Sequence, residues 1–213
     1  MSIIGIFGGS GSGKTTVTEM LHSKIDDSVV ISVDPFMHKH FDENKDEILK
    51  QLDISYDENV WWYNYIFQSI DNLKKTIDII KPKIEADIAR SIEENKCYNT
   101  IIIDWALLPL VSNFNNCDFA ITVNADVEVK VQRLSARLNA YNKLQKWPGS
   151  TLLERINNSS LDEFGYKGKY FINNSGSLEQ LGNSIDSILS KENISSNTDT
   201  NSCYKVVYWD MDV

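Results

Sequence analysis

The chain has 213 residues, is 42% hydrophobic and 24% charged, and carries a formal net charge of −9 with a pI near 4.8. That length buries one full core with room for a small lid, and the acidic balance excludes a long nucleic acid, whose phosphates would meet a repulsive field. No apolar run approaches the roughly 18 residues of a membrane span, so no membrane partner is expected.

The chain opens on Met1-Ser2-Ile3-Ile4, with no cationic region and no cleavable leader pattern. Residues 3–7 form a short apolar run ending in glycines, which predicts a buried parallel strand. Val17, Met20, Leu21 and Ile25 then recur at helical spacing. Residues 29–33 make a second β-branched strand, closed by Asp34-Pro35. Strand, helix and strand in this order predict a βαβ unit with a parallel crossover.

The middle of the chain reads as helical. Trp62, Ile66, Ile70, Leu73, Ile77 and Ile80 form one stripe, Pro82 is expected to break or kink it, and Ile84, Ile88 and Ile92 begin a second. Residues 100–104, Thr-Ile-Ile-Ile-Asp, predict a third strand with a carboxylate at its end, and residues 119–123 a fourth. Val127, Val131, Leu134 and Leu138 mark the buried face of the next helix. Residues 139–169, with Trp147-Pro148-Gly149, read as a mobile segment holding a short helix. Residues 170–172 predict the last strand, and Ser177-Leu178-Glu179-Gln180 a capping box opening a helix with Leu178, Leu181, Ile185 and Ile188 inward. Residues 191–202 are polar and read as disordered. The ending, residues 204–213, fits an added edge strand or a frayed tail.

Three cysteines, Cys97, Cys117 and Cys203, stand far apart with no metal or redox spacing, which suits a reducing cytoplasm. His22, His38 and His40 have no zinc-type spacing with cysteines or carboxylates.

The chemistry concentrates at Gly8-Gly9-Ser10-Gly11-Ser12-Gly13-Lys14-Thr15-Thr16, a glycine loop between a strand and a helix. Glycines allow backbone conformations in which successive N–H groups converge on a phosphate, and the helix N-terminus adds partial positive charge there. Lys14 supplies a full charge to the β- and γ-phosphates, while the Thr15 hydroxyl is placed for Mg²⁺. The expected fold is therefore α/β of the P-loop NTPase type, a parallel sheet flanked by helices. The expected ligand is ATP·Mg²⁺, held by Gly9, Gly11, Ser12, Gly13, Lys14, Thr15 and Thr16. Asp104 is the second candidate near the metal, unless it is a turn or capping aspartate. Asp34, at a strand's carboxyl end, is the candidate base for an attacking hydroxyl, unless it only caps the turn at Pro35.

Lys130, Arg133 and Arg137 lie at i, i+3 and i+7, on one stripe of a helix. Like charges at this spacing repel, so the stripe fits an arriving anion, as in a lid that brings arginines onto transferring phosphates. A solvated basic face is the other reading. Trp61, Trp62, Tyr63 and Tyr65 are candidates for stacking on a base, with core packing the plainer role for Trp62.

Over roughly residues 3–190 the chain resembles the dephospho-coenzyme A kinases. Lys81-Pro82-Lys83-Ile84 is similar to that family's His-Pro-x-Ile element, and Asp104-Trp105-Ala106-Leu107-Leu108 to its Asp-x-Pro-Leu-Leu strand end. Residues 173–181, Asn-Asn-Ser-Gly-Ser-Leu-Glu-Gln-Leu, are similar to its Asn-Ser-Gly-Ser-Leu-Glu-Glu-Leu segment. The resemblance implies transfer of the ATP γ-phosphate to the ribose 3′-hydroxyl of dephospho-coenzyme A. It also implies Asp34 as base, Arg133 as a nucleotide contact and Arg137 as a catalytic lid arginine. It divides the chain into a kinase domain over residues 1–190, with a helical acceptor region at about 40–98 and a lid at about 133–169, and a polar tail over 191–213.

Ser32 stands where the family has the first acid of Asp-x-Asp, Lys81 replaces its histidine, and Leu110 an acid. These three changes are expected around the acceptor site. Residues 30–36, Val-Ile-Ser-Val-Asp-Pro-Phe, also look like the acceptor strand of uridine kinase-type nucleoside kinases. A nucleotide-binding protein without turnover is the remaining alternative.

Overall fold

The computed structural model describes residues 1–53, 63–140, 153, 156–157, 165–195 and 206–207. Six parallel strands form one sheet: β1 (Ser2–Phe7), β2 (Ser28–Ser32), β3 (Thr100–Asp104), β4 (Phe119–Asn124), β5 (Tyr170–Asn173) and β6 (Val206–Val207). Their order is β5-β4-β1-β3-β2-β6, which puts the strand carrying the glycine loop between the two that share its register. Ile4 pairs with Ile102 of β3 and with Phe119 of β4. The helices are α1 (Lys14–Lys24), α2 (Asp34–Glu43), α3 (Lys45–Gln51), α4 (Tyr63–Ile66), α5 (Ile70–Glu94), α6 (Val127–Ala140) and α7 (Leu178–Lys191).

Alternation along the strands divides the core into two layers. Ile4, Ile6, Val30 and Ile102 face one side of the sheet, where Val17 and Leu21 of α1 meet Leu181, Ile185 and Ile188 of α7. Phe7, Val29, Ile31, Ile101 and Ile103 face the other, where α2, α3 and α5 bring Phe41, Ile48, Leu73, Ile77, Ile80, Ile84 and Ile88. Because both faces are covered, the strands are continuous apolar runs.

The middle differs from the sequence expectation. The helical stripe is interrupted before Pro82, not at it: α4 ends at Ile66, and Ser69 caps a new helix by accepting the N–H of Asn72 at 3.1 Å. From there α5 runs 25 residues straight through Pro82. Pro82 and Asp78 are both exposed, so the carbonyl that the proline leaves without its helical donor lies on the watered face, and the break is tolerated. Trp61 and Trp62 lie outside the described residues, as do most of the 139–169 segment and of the tail.

Two apolar residues expected inward are exposed, Val127 at 41% and Leu178 at 67%. Each is the first residue of its helix, ahead of the buried positions at Lys130 and Leu134 and at Leu181 and Ile185. The capping box at Ser177 forms as the sequence predicts, with Ser177 and Gln180 bonded reciprocally. Within the 204–213 ending, Val206 and Val207 pair in parallel with Val30 and Ile31 as an added edge strand, and the other residues lie outside the described ones.

Histidines serve the scaffold at two places. His22 Nδ1 lies 2.7 Å from Ser28 Oγ, tying α1 to β2. His40 lies between two carboxylates, with Nε2 2.6 Å from Asp87 Oδ2 and Nδ1 3.1 Å from Glu43 Oε2, and so links α2 to α5. Among the described residues no three His, Cys, Asp or Glu side chains gather as a metal site, and no helix is long and apolar enough to cross a membrane.

Candidate active site

The loop between β1 and α1 is set by close approach and by handedness. A Cβ on Gly8 would lie 2.1 Å from the Val123 carbonyl oxygen, so the first glycine lets β1 leave the sheet against β4. Gly11 and Gly13 have φ of +80° and +82°, a region that side chains other than glycine's rarely enter. Gly13 is also the N-cap of α1, so the turn delivers the helix's first N–H groups and its positive end to the hollow of the loop.

Groups from α6 and from beyond β5 brace the loop. Arg133 Nη1 donates to the carbonyls of Gly11 at 3.3 Å and Ser12 at 3.2 Å, and its Nη2 donates to the Asn174 carbonyl at 2.9 Å. The Asn174 side chain in turn donates to the Ser12 carbonyl at 3.0 Å. Lys130 is buried, and its backbone packs on Gly11. The face of α6 read as a cationic stripe is therefore turned onto the glycine loop at Lys130 and Arg133. Only Arg137 of the three is exposed, and it lines the cavity beneath the loop.

That cavity, about 290 Å³, is walled by the whole glycine loop with Lys14, Thr15, Thr16, Asp34 and Arg137. Lys14 Nζ donates to Asp104 Oδ1 at the end of β3, an ion pair with 11% and 8% of its two side chains exposed. Burial pulls the Lys14 ammonium down, but the carboxylates of Asp104 and then Asp34 outweigh it and hold its pKa above the ordinary lysine value. Arg137 opposes them weakly. Asp34 sits at the first position of α2, with Pro35 behind it, so the helix start aims its carboxylate region at the cavity.

Of the residues singled out in the sequence, Gly9, Gly11, Ser12, Gly13, Lys14, Thr15, Thr16, Asp34 and Arg137 all line this one cavity. Asp104 stands behind Lys14, while Arg133 is spent on backbone carbonyls outside the lining. The three departures from the family pattern do not line it. Ser32 lies beside Asp104 in register, Lys81 Nζ is 3.9 Å from Glu85 on α5, and Leu110 packs against the core.

Sequence reasoning gave no site role to Asn174, or to Met37, His38, Phe67, Trp105, Ala106 and Leu107, which complete the wall. His38 was legible in principle, because it lies four residues after Asp34 on a helix that Asp34 opens. Asn174 was legible only as part of a family-like segment.

Comparison with known proteins gives the family and the fold. The family model described as dephospho-CoA kinase matches residues 2–146. A dephospho-CoA kinase of Fusobacterium nucleatum subsp. nucleatum is 28% identical over 202 residues, covering 86% of this chain and 95% of that protein. Among solved structures, TT1252 from Thermus thermophilus has a TM-score of 0.63 at 20% identity, covering 89% of this chain and 97% of that one. A dephospho-CoA kinase from Campylobacter jejuni has a TM-score of 0.52 at 18% identity, covering 90% and 98%. These two share the fold. The family match runs from β1 through α6, so it takes in the glycine loop, both carboxylates and the arginines, and the chain belongs to the dephospho-CoA kinase family of ATP-dependent kinases.

Proposed function

We propose that the chain transfers the γ-phosphoryl group of ATP to the ribose 3′-hydroxyl of dephospho-coenzyme A, with Asp34 as the base. The observation that carries this reading is the shared cavity wall: Asp34 lies near enough to Lys14 to raise its pKa, across the hollow where the phosphates bind. The N–H groups opening α1 and the Lys14 ammonium hold the β- and γ-phosphates. Phosphate oxygens compete with Asp104 for Lys14, so nucleotide binding loosens that ion pair.

In the step, the 3′-oxygen bonds to the γ-phosphorus while the bond from phosphorus to the β–γ bridging oxygen breaks. The hydroxyl proton passes to Asp34 and ADP leaves. Arg137 places positive charge beside the transferring group. The exposed Thr15 hydroxyl and the Asp104 carboxylate fit Mg²⁺, a hard cation that takes one or two protein oxygens and completes its shell with phosphate and water. When bound, the metal neutralises charge on the β- and γ-oxygens. The acceptor side is the cavity wall built by α2 and by Phe67, ahead of α5. Three widely spaced cysteines with no redox or metal spacing support a site of action in a reducing cytoplasm.

An acceptor panel at saturating ATP and Mg²⁺ tests the reading. Dephospho-coenzyme A should exceed uridine and cytidine by at least about tenfold in kcat/KM, a difference of about 1.4 kcal/mol. Asp34→Asn should lower kcat by roughly 10²–10⁴ with little change in nucleotide affinity. Preference for uridine would hand the cavity to a nucleoside, and a fully active Asp34→Asn would exclude it as the base.

A further inference from the structure

Helix α2 puts Asp34, Met37 and His38 on the cavity wall, at i, i+3 and i+4, so the three share one face. About a third of a turn around from that face is His40, which is buried. Its Nε2 lies 2.6 Å from Asp87 Oδ2 on α5, and its Nδ1 lies 3.1 Å from Glu43 Oε2. A carboxylate oxygen only accepts, so Nε2–H is the donor to Asp87. Arg90 holds the other Asp87 oxygen. At the end of α2, Asn44 accepts from Lys83 of α5 at 2.9 Å and donates to the His40 carbonyl at 2.6 Å. These polar groups sit beside an apolar layer that includes Met37, Phe41, Ile84 and Ile88. Apolar burial is non-directional, and apolar side chains in place of a buried polar pair often cost no stability. What the His40–Asp87 bond adds is direction: it fixes the rotation of α2 about its own axis.

We propose that His40 is a positioning residue for phosphoryl transfer, its bond to Asp87 locking α2 against α5 and so setting the Asp34 carboxylate toward the cavity. Asp34 opens the helix that carries His40, and the two lie about 9 Å apart along its axis. A turn of the helix at His40 therefore moves Asp34 with it. Helix α5 is the fixed partner, because Leu73, Ile77, Ile80, Ile84 and Ile88 bury it in the layer against the sheet. The glycine loop is braced separately, by Arg133 and Asn174. The lock thus acts on the base and leaves the grip on ATP alone. This inference rests on Asp34 being the base of the proposed reaction.

The test is His40→Leu in the full chain, measured in two backgrounds. Against the wild type, kcat with dephospho-coenzyme A should fall about tenfold, since misplacing a reacting group by about 1 Å costs up to about 10²-fold. The KM for ATP should stay within about twofold. In the Asp34→Asn background the same substitution should change kcat by less than about twofold, because the base that His40 positions is already gone. His40→Gln, whose amide still donates to Asp87, should keep most of the wild-type rate. Should His40→Leu not fold, Asp87→Ala in the same two backgrounds reads the same coupling. Equal losses in both backgrounds would overturn the proposal, by showing an effect that does not pass through Asp34. An undiminished kcat in His40→Leu would overturn it too, as would a loss confined to the KM for ATP. A fully active Asp34→Asn fails the functional reading and this proposal together. A crippled Asp34→Asn beside equal losses in both backgrounds fails this proposal alone.

Discussion

Arg133 and Asn174 hold the same carbonyl from two directions: Arg133 Nη1 reaches the Ser12 oxygen at 3.2 Å and Asn174 Nδ2 reaches it at 3.0 Å. The two residues are also bonded to each other, through Nη2 and the Asn174 carbonyl at 2.9 Å. One end of the glycine loop is thereby pinned to both α6 and the turn after β5. The carbonyls of Gly11 and Ser12 are thereby held on the side of α6 and Asn174.

Arg133→Ala should therefore lower the melting temperature of the nucleotide-free protein as well as weaken ATP binding, by roughly tenfold. Arg133→Lys should rescue little, because one ammonium cannot span three carbonyls as a planar guanidinium does. Asn174→Ala should give a smaller loss of the same kind, and the double variant should fall short of the sum. Thermal melts with and without ATP decide the matter. An Arg133→Ala protein that melts normally but binds ATP poorly would make Arg133 a phosphate contact instead.

Lys14 and Asp104 are coupled in stability and separable in function. Lys14→Met should abolish most turnover and also destabilise the fold by about 1–3 kcal/mol, since Asp104 loses its partner in a largely buried place. Adding Asp104→Asn should recover much of the stability and none of the activity. Asp104→Asn alone should raise the Mg²⁺ concentration needed for half-maximal rate. Urea melts on the four proteins of this cycle measure the coupling; additive losses would show that the pair contributes nothing as a pair.

Cys117 should be chemically silent at neutral pH. Burial first, and then the neighbouring Asp118, push its thiol up to about 12, whereas Cys97 is exposed. Timed labelling with a thiol reagent at pH 8, read by peptide mapping, should find Cys97 modified long before Cys117. The same shift has a stability consequence. Above the ordinary thiol value of 9.0 the folded protein retains a proton that the unfolded chain loses, so stability falls as pH rises from about 9 to about 12. Cys117→Ser should flatten that alkaline slope. An unchanged slope would place its cause elsewhere.

Pro82→Ala should stabilise the protein by about 1–2 kcal/mol, because α5 already runs through this position and alanine restores the missing N–H. The expected gain is below the full helix penalty of proline, since proline also restricts the unfolded chain. An increase in urea midpoint at constant slope is the expected result. A decrease would mean that the proline fixes a bend on which the packing of α5 depends.

The sequence by itself determined the local pieces. The β-branched runs at 29–33, 100–104 and 119–123 read as buried strands, and the glycine loop between strand and helix placed Lys14, Thr15 and Thr16 at the start of α1. Short-range patterns of this kind are written in consecutive residues, where periodicity and backbone freedom act directly. Even there, the break at Ser69 was masked by an apolar stripe running across it, and Pro82 misled because its cost depends on which face of the helix meets water. Only the tertiary structure decided what each charge does. Arg133 and Arg137 share a stripe, yet one clamps carbonyls and the other faces the cavity, a difference set by the distance of each from a loop more than 100 residues away in the chain. Asn174 joins the site, and Trp105 is left with an unmatched donor, because β3, β5 and the strand carrying the glycine loop all finish at the carboxyl end of the parallel sheet, and no sequence spacing encodes that meeting.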